Sequence, residues 1–313
     1  MSAAAIFPGQ GAQLVGMGQD VAAAHPAARR IFDLADATLG IPLSQLCFQG
    51  PEERLNATDV QQPAIFVTSV ALYRAAAAAG LIAPDSFGAM GGLSLGEYTA
   101  LHLADALSFA DALRLVHRRG QLMQAAAEAS AGGMVSLMGL EEDQALALCD
   151  RVAEQGHVRP ANFNCPGQIV ISGDLAACEA AAGLAEEFGG RGIPLKVAGA
   201  FHSDLMRPAA DGLRPALAEV EFRSPRVPVI ANVDASYHAN ADAIRESLYR
   251  QVFSPVRWQA CVERLIRDGR GPFWEIGPGR ALTGMMRRID RRAQTINVSK
   301  ASDFVAEVAG RRP

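Results

Sequence analysis

Apolar residues recur along this chain with more than one period, and the changes of period divide it. Ala3 to Phe7 is an unbroken apolar run of strand length that stops at Pro8-Gly9-Gln10-Gly11. Helical spacing follows over residues 17–39 and 61–80. A glycine-rich strand candidate, Phe87 to Leu93, leads through Gly92-Leu93-Ser94-Leu95-Gly96 into a helical pattern from Glu97 to Leu103. Strands feeding helices in this way are α/β grammar. From Met134 to Val197 the order changes. It becomes strand Met134 to Met138, helix Glu141 to Glu154, strand Val158 to Phe163, strand Gln168 to Ser172, helix Asp174 to Phe188 and strand Gly192 to Val197. That βαββαβ order predicts a ferredoxin-like unit. After Gly199 the first pattern returns, with helices and short apolar strands at Val227 to Ala231 and Pro272 to Ile276. The expectation is an α/β protein whose large domain takes residues 1–128 and 199–313, with a small subdomain inserted at 129–198.

Composition narrows the function classes. Half of the 313 residues are hydrophobic and a fifth are charged, enough to bury a core and unlike a disordered segment. A formal net charge of -4 gives no global attraction to phosphate, so neither nucleic acid nor an acidic membrane is an expected partner. The most apolar stretch, Ala64 to Ala83, is interrupted by Arg74 and Gly80 and reads as a buried helix rather than a bilayer span. The N-terminus lacks the charged and apolar regions of a signal peptide. Five cysteines, at 47, 149, 165, 178 and 261, show neither C-x-x-C spacing nor a zinc pattern. Together these features predict a cytoplasmic protein with reduced thiols and no metal. The glycines at 9 and 11 fit neither a dinucleotide fingerprint nor a P-loop, so no cofactor is expected.

Gly92-x-Ser94-x-Gly96 has the spacing of a nucleophile elbow, in which small neighbours let a strained turn lift the serine oxygen above a sheet. An ordinary glycine-rich loop can carry the same letters; a strand before and a helix after favour serine chemistry. The Leu95 N–H would then open the helix, where an unpaired donor and the helix dipole can hold an oxyanion. Pro8-Gly9-Gln10-Gly11 either brings a second N–H to the serine or makes a tight turn. Among the six histidines, His202 leads as the base, because it follows the inserted unit where the chain re-enters the cleft. His25, His117, His157 and His238 have the settings of bends, polar helix faces or surface loops. Asp204, two residues beyond His202, reads as solvated or as a cap of the following helix, and no aspartate announces itself as a triad member. In the helix from Asp111 to Ala127, Arg119 falls in the middle of the apolar stripe formed by Ala112, Leu115, Val116, Leu122, Met123 and Ala126. An inward guanidinium needs a partner. That partner is either structural, such as Glu97, or a substrate carboxylate, which bidentate geometry suits. Cys165, among the turn residues Asn162 to Gln168, has no evident base and reads as structural.

These pieces resemble the malonyl-CoA:acyl carrier protein transacylases of fatty-acid synthesis and the related acyltransferase domains of polyketide synthases. The resemblance rests on Phe7-Pro8-Gly9-Gln10-Gly11-Ala12-Gln13, Gln61-Gln62-Pro63-Ala64, the elbow continuing into Gly96-Glu97-Tyr98, and Arg119-Gly120. It continues through Asn162 to Gln168, Gly199-Ala200-Phe201-His202-Ser203, Gln251 to Trp258 and Glu275-Ile276-Gly277-Pro278-Gly279. Their order and spacing span nearly the whole chain.

The resemblance implies a hydrolase-like α/β domain carrying the ferredoxin-like insertion. It makes Ser94 the acylated nucleophile, His202 its base and Arg119 the clamp on the free carboxylate of malonate. The N–H groups of Gln10 and Leu95 would form the oxyanion hole, and Gln251 would orient the imidazole through a carbonyl. Arg119, Phe201 and Asn162 are the substrate-binding candidates; Phe201 stands where relatives that select branched acyl groups often have serine. The implied reaction is ping-pong transfer from malonyl-CoA to the phosphopantetheine thiol of an acyl carrier protein, by a monomer. A discrete polyketide acyltransferase, a thioester hydrolase and a non-enzymatic docking module are the alternatives. One departure is Leu93, where the family usually has histidine before the nucleophile; Cys165 replaces a common serine. The run Arg287-Arg288-Ile289-Asp290-Arg291-Arg292, with Arg191 and Lys196, is the candidate docking surface for an acidic carrier protein.

Overall fold

The computed structural model describes residues 2–304. The chain opens with β1 (Ser2–Phe7) and five helices, α1 (Gln19–Ala24), α2 (Pro26–Leu39), α3 (Leu43–Gln49), α4 (Glu52–Asn56) and α5 (Thr58–Ala78). Then come β2 (Phe87–Gly92), α6 (Leu95–Leu103) and α7 (Phe109–Glu128). A second stretch contains β3 (Gly132–Met138), α8 (Glu142–Arg151), β4 (Val158–Cys165), β5 (Gln168–Asp174), α9 (Leu175–Leu184) and β6 (Arg191–Pro194). The chain continues with α10 (Arg207–Glu219), α11 (Ala241–Gln251), α12 (Trp258–Arg267), β7 (Arg270–Ile276), α13 (Ala281–Ile289) and β8 (Thr295–Val298).

Two sheets organise these elements. The first is parallel, in the order β2-β1-β7-β8. Its central strand β1 is apolar at every position from Ala3 because both of its faces are covered. Ala5 and Phe7 join the core under α2, α5 and α7, while Ala4 and Ile6 join the one formed with Trp258, Val262 and Met286. The second sheet is antiparallel, in the order β4-β5-β3-β6, and has its own core around Val135, Leu137, Leu148, Ile171 and Ala181. Main-chain bonds tie it to the rest: Phe163 donates to Val256 O at 2.9 Å, and Val256 donates to Ala161 O at 2.8 Å. That seam lies a few residues beyond Gln251, at the C-terminus of α11.

Local chemistry accounts for the departures from the expected elements. The helical pattern over residues 17–39 is cut in two at His25, where Pro26 starts α2. Val227 to Ala231 is not a strand: it makes isolated bridges, Met90 with Val229 and Ile230 with Tyr237, and Pro228 has no N–H for a ladder. β6 stops at Pro194 rather than reaching Val197. The two short helices α3 and α4 carry no long period and were not expected. The apolar stretch from Ala64 belongs to the buried helix α5, and no helix among the described residues is long and apolar enough to cross a membrane.

Helix α7 is capped by Ser108, whose Oγ accepts the Asp111 N–H at 3.1 Å. It lies close to α5 because residue 120 is glycine: a Cβ there would sit 2.6 Å from Thr58 O. Gly120→Ala is therefore expected to push the two helices apart and cost about 1–3 kcal/mol of stability. Urea denaturation checks this, and a variant as stable as the parent would contradict the close approach.

Candidate active site

The elbow forms where β2 ends and α6 begins. Ser94 takes φ 50° and ψ −103°, a conformation that costs a non-glycine residue about 1–3 kcal/mol. Its surroundings force it there. The Ser94 N–H donates to Asn232 Oδ1 at 2.6 Å, and Asn232 Nδ2 donates to Gly92 O at 2.8 Å. Close approach explains the glycines, since a Cβ on Gly96 would lie 2.2 Å from Phe7 O and one on Gly9 2.4 Å from Leu93 O. The ends of β1 and β2 thus lie side by side, which brings the Gln10 loop to the elbow.

Two side chains meet at the Ser94 hydroxyl. Its Oγ is 2.9 Å from His202 Nε2, and His202 Nδ1 is 2.8 Å from the main-chain carbonyl of Gln251. A carbonyl only accepts, so the proton is on Nδ1 and Nε2 is free to take one from Ser94. From the other side Arg119 Nη2 donates to the same Oγ at 2.9 Å. Arg119 is 1% exposed. Its remaining contacts are with Gln62 Oε1 at 2.6 Å and Gln251 Oε1 at 3.1 Å, and its guanidinium carbon lies 5.5 Å from the centre of the Tyr98 ring. The partner is therefore not Glu97. That buried carboxylate accepts instead from the Asn232 N–H at 3.0 Å, Gln251 Nε2 at 2.7 Å and His238 Nε2 at 2.9 Å.

Burial dominates the electrostatics. It lowers the basicity of Arg119, and it pushes the Tyr98 hydroxyl up to about 12. Desolvation first, and then the Arg119 charge, push His202 down to about 4, against the opposing effect of the main-chain groups of Gln251 and Ser254, of which the Gln251 carbonyl accepts from Nδ1. The base is neutral at physiological pH, and its Nε2 lone pair is available.

A cavity of about 190 Å³ opens onto this group. Gln10, Leu93, Asn162, Phe201 and His202 line it, and it is closed by Leu195, just past the second sheet's edge strand, and by Met285 from α13. Arg119 is behind the wall, reaching the cavity through Ser94 Oγ. Neither the Gln10 nor the Leu95 N–H has an acceptor among the described residues, so both remain free for an oxyanion. A larger groove of about 620 Å³ near Arg270 and Phe273 holds no nucleophile and base pair.

Seven of the eight predicted positions thus converge at Ser94 or its cavity, and the eighth, Leu95, opens α6 directly after it. Of the side readings, those of His238 and Leu122 need correction, while Asp204 and Cys165 are as expected. His238, expected in a surface loop, has a side chain 1% exposed because it pairs with Glu97. Asp204 is exposed, contacts Arg207 and His157, and plays no part in the site. Leu122 is only partly buried. Cys165 is buried with its thiol against Gln168, and burial raises its pKa, as a structural thiol requires. Arg288, in the basic run, donates to Gly167 O at 3.2 Å and so ties α13 to the second sheet. Gln62 and Asn232 were missed as site residues. Their signal was a polar side chain inside an apolar stretch, at the start of α5 and after Ala231.

The sequence matches the family described as acyl transferase domain over residues 5–305. The malonyl CoA-acyl carrier protein transacylase of Bacillus subtilis is 45% identical over 94% of this chain and 92% of its own length. That of Escherichia coli is 45% identical over 91% of each. Among solved structures, an acyl-carrier-protein S-malonyltransferase from Bartonella henselae superposes with a TM-score of 0.95 at 39% identity, covering 99% of both chains. A malonyl-transacylase in complex with its type II PKS acyl-carrier protein superposes with a TM-score of 0.94 at 41% identity, covering 99% of this chain and 100% of that one.

A folded-state pKa near 4 against 6.5 in the unfolded chain fixes the sign of one expectation. Between those values the unfolded chain binds more protons, so the stability owed to neutral His202 is complete above about pH 6.5 and is lost as pH falls toward 4. NMR titration of the His202 ring should accordingly show no protonation until well below pH 6. A midpoint at the ordinary histidine value would contradict the geometry.

Proposed function

The chain belongs to the acyl transferase family, and on that premise we propose that it moves a malonyl group from malonyl-CoA to the phosphopantetheine thiol of an acyl carrier protein, through a malonyl ester on Ser94. The observation that carries this reading is that Ser94 Oγ sits 2.9 Å from both a neutral imidazole and a buried guanidinium. The first activates an oxygen nucleophile; the second offers a carboxylate site beside the ester that forms.

In the first half-reaction His202 Nε2 takes the Ser94 proton as Oγ attacks the thioester carbonyl. The Gln10 and Leu95 N–H groups receive the oxyanion. Collapse of the tetrahedral adduct breaks the carbon–sulfur bond, and the imidazolium returns the proton to the coenzyme A thiolate. In the second half, His202 takes the proton of the carrier's thiol, the thiolate attacks the ester, and Ser94 leaves with the proton restored. The malonate carboxylate pairs with Arg119 throughout. That pairing also offsets the positive charge that holds His202 down, so the right acyl group makes the base stronger.

The finer architecture belongs to the same reading. Among the described residues, 2–128 and 199–304 make up the hydrolase-like domain and 129–198 the inserted ferredoxin-like subdomain; residues 1 and 305–313 of the expected division lie outside the described residues. The separate core under the antiparallel sheet supports that division. A water-accepting hydrolase is the rival reaction, and it needs no thiol acceptor. A polyketide carrier in place of a fatty-acid carrier changes the acceptor and leaves the site chemistry as it is.

Three outcomes are expected. Malonyl-CoA should add a malonyl mass to Ser94, detectable by mass spectrometry, and Ser94→Ala should abolish it with the fold intact; labelling that survives would place the nucleophile elsewhere. Arg119→Ala should lose about 10- to 150-fold of the preference for malonyl over acetyl, the worth of about 1.5–3 kcal/mol for hydrogen bonds to a charged group. The Phe201 ring, 4% exposed on the cavity wall, should hold methylmalonyl roughly 10- to 200-fold below malonyl. Competition between the three thioesters decides both points, and equal use of all three would remove both assignments.

Docking of the acidic carrier is assigned to Arg287, Arg291 and Arg292, exposed at the end of a helix whose Met285 reaches the cavity. Raising salt should slow transfer to the carrier more than acylation by malonyl-CoA, because exposed charges are screened beyond about 8–10 Å at physiological ionic strength. Charge reversal at these three arginines should have the same selective effect. An unchanged transfer efficiency in the reversed variant would move the docking site off this helix.

A further inference from the structure

The mechanism above uses the main-chain carbonyl of Gln251 and leaves its side chain unexplained. That side chain is fully buried between two charges. Its Oε1 accepts from Arg119 Nη2 at 3.1 Å, and its Nε2 donates to Glu97 Oε2 at 2.7 Å and to Ser94 O at 3.1 Å. Only one orientation of the amide works. A guanidinium can only donate and a carboxylate can only accept, so oxygen must face Arg119 and nitrogen Glu97. Arg119 and Glu97, each without a direct ion-pair partner in the other, are thus joined across a single carboxamide.

Glu97 is itself held from the far side. Its Oε1 takes the His238 Nε2–H, and its Oε2 takes the Asn232 N–H as well as the Gln251 amide. Asn232 in turn holds the Ser94 N–H. All of these side chains are buried, where a lost partner is costly and the survivors cannot turn to water.

We propose that Glu97 is a positioning residue that acts through the Gln251 carboxamide, and that His238 and Asn232 hold it in place, so that one buried carboxylate sets the acyl-group clamp. This rests on the reading of Arg119 as that clamp. Glu97 fixes which end of the amide faces Arg119, and the amide oxygen fixes where the guanidinium stands relative to Ser94 and His202. Without the anion, the Gln251 amide is no longer oriented, Arg119 loses one of its two side-chain amide acceptors, and the malonate carboxylate meets a displaced guanidinium.

The test is a double-mutant cycle on the full chain, with Glu97→Gln and Gln251→Ala made singly and together. Gln251→Ala keeps the carbonyl that orients His202. Acylation of Ser94 by malonyl-CoA and by acetyl-CoA gives the selectivity ratio. Glu97→Gln is expected to lower the malonyl preference at least about tenfold in the parent background and less than about twofold where residue 251 is already alanine, the non-additivity of residues acting through one another. Equal losses in both backgrounds would overturn the proposal. So would a fall in melting temperature and in both acylation rates with the ratio unmoved, the mark of a packing role.

Should Glu97→Gln fail to fold, His238→Phe is expected to lower the ratio, and His238→Gln, whose amide still donates to Glu97, to restore most of it; equal ratios in the two variants would overturn it. A second readout does not depend on malonate. A displaced Arg119 relieves the charge next to His202, so the NMR midpoint of that ring should rise in Glu97→Gln and rise no further in the double variant. If the parent accepts neither acyl group, the malonyl reading fails, and the His202 midpoint still decides the relay: an unmoved midpoint overturns it.

Discussion

A guanidinium buried without a carboxylate beside it is the constraint on which this site depends. Arg119 enters the core because α7 turns it into the apolar stripe, and α7 can bring it close enough to α5 because residue 120 lacks a side chain. Removing such a charge from water costs several kcal/mol even after relaxation. The oxygens of Gln62, Gln251 and Ser94 offset part of that cost, and each is neutral. The arrangement is therefore one that an incoming anion improves. The same unneutralised charge adds to burial in lowering the basicity of His202, and in the proposed reaction it would stabilise a developing alkoxide on Ser94. Selectivity, nucleophile and base respond to one group.

The parallel sheet determines where that group can act. β1 and β2 are neighbours with the same direction, so the loops at their C-terminal ends emerge together. One loop supplies the Gln10 N–H, and the other supplies Ser94 and the Leu95 N–H at the head of α6. Crevices at the carboxyl ends of parallel strands are the general binding place in such sheets. Met134, Asn162, Val170 and Leu195 come from the second sheet or the residue just past its edge strand and make the opposite wall. Its attachment through Val256, near Gln251, links the wall to the segment that orients His202.

Most of this was legible in the sequence because it depends on short-range rules. An unbroken apolar run gave a strand, a serine between glycines gave the elbow, and an arginine in the middle of an apolar stripe gave the buried cation. The antiparallel unit was legible because its alternation of strand and helix periods is regular. Contacts between distant segments were not. His238 looked like a loop histidine because no helix or strand period runs through it, and its burial comes from Glu97, 141 residues away in sequence. Asn232 and Gln62 carry no periodic signal, since each is defined by what it meets. Val227 to Ala231 has strand composition, but a proline in the middle leaves it with single bridges.

The absence of a triad aspartate follows from the same buried charge. A carboxylate at the Nδ1 side of His202 would raise the basicity of the imidazole. It would also place an anion on the far side of the ring from Ser94, whose Oγ is held by Arg119 at 2.9 Å. Part of the positive potential that the proposed clamp offers a carboxylate-bearing acyl group would then be cancelled before the substrate arrived. A carbonyl avoids the conflict: the Gln251 main chain fixes the tautomer of His202 with a dipole and adds no net charge. The buried carboxylate near the site, Glu97, meets the Gln251 amide rather than the guanidinium itself. At that remove it can balance the buried cation without occupying the position proposed for the malonate carboxylate.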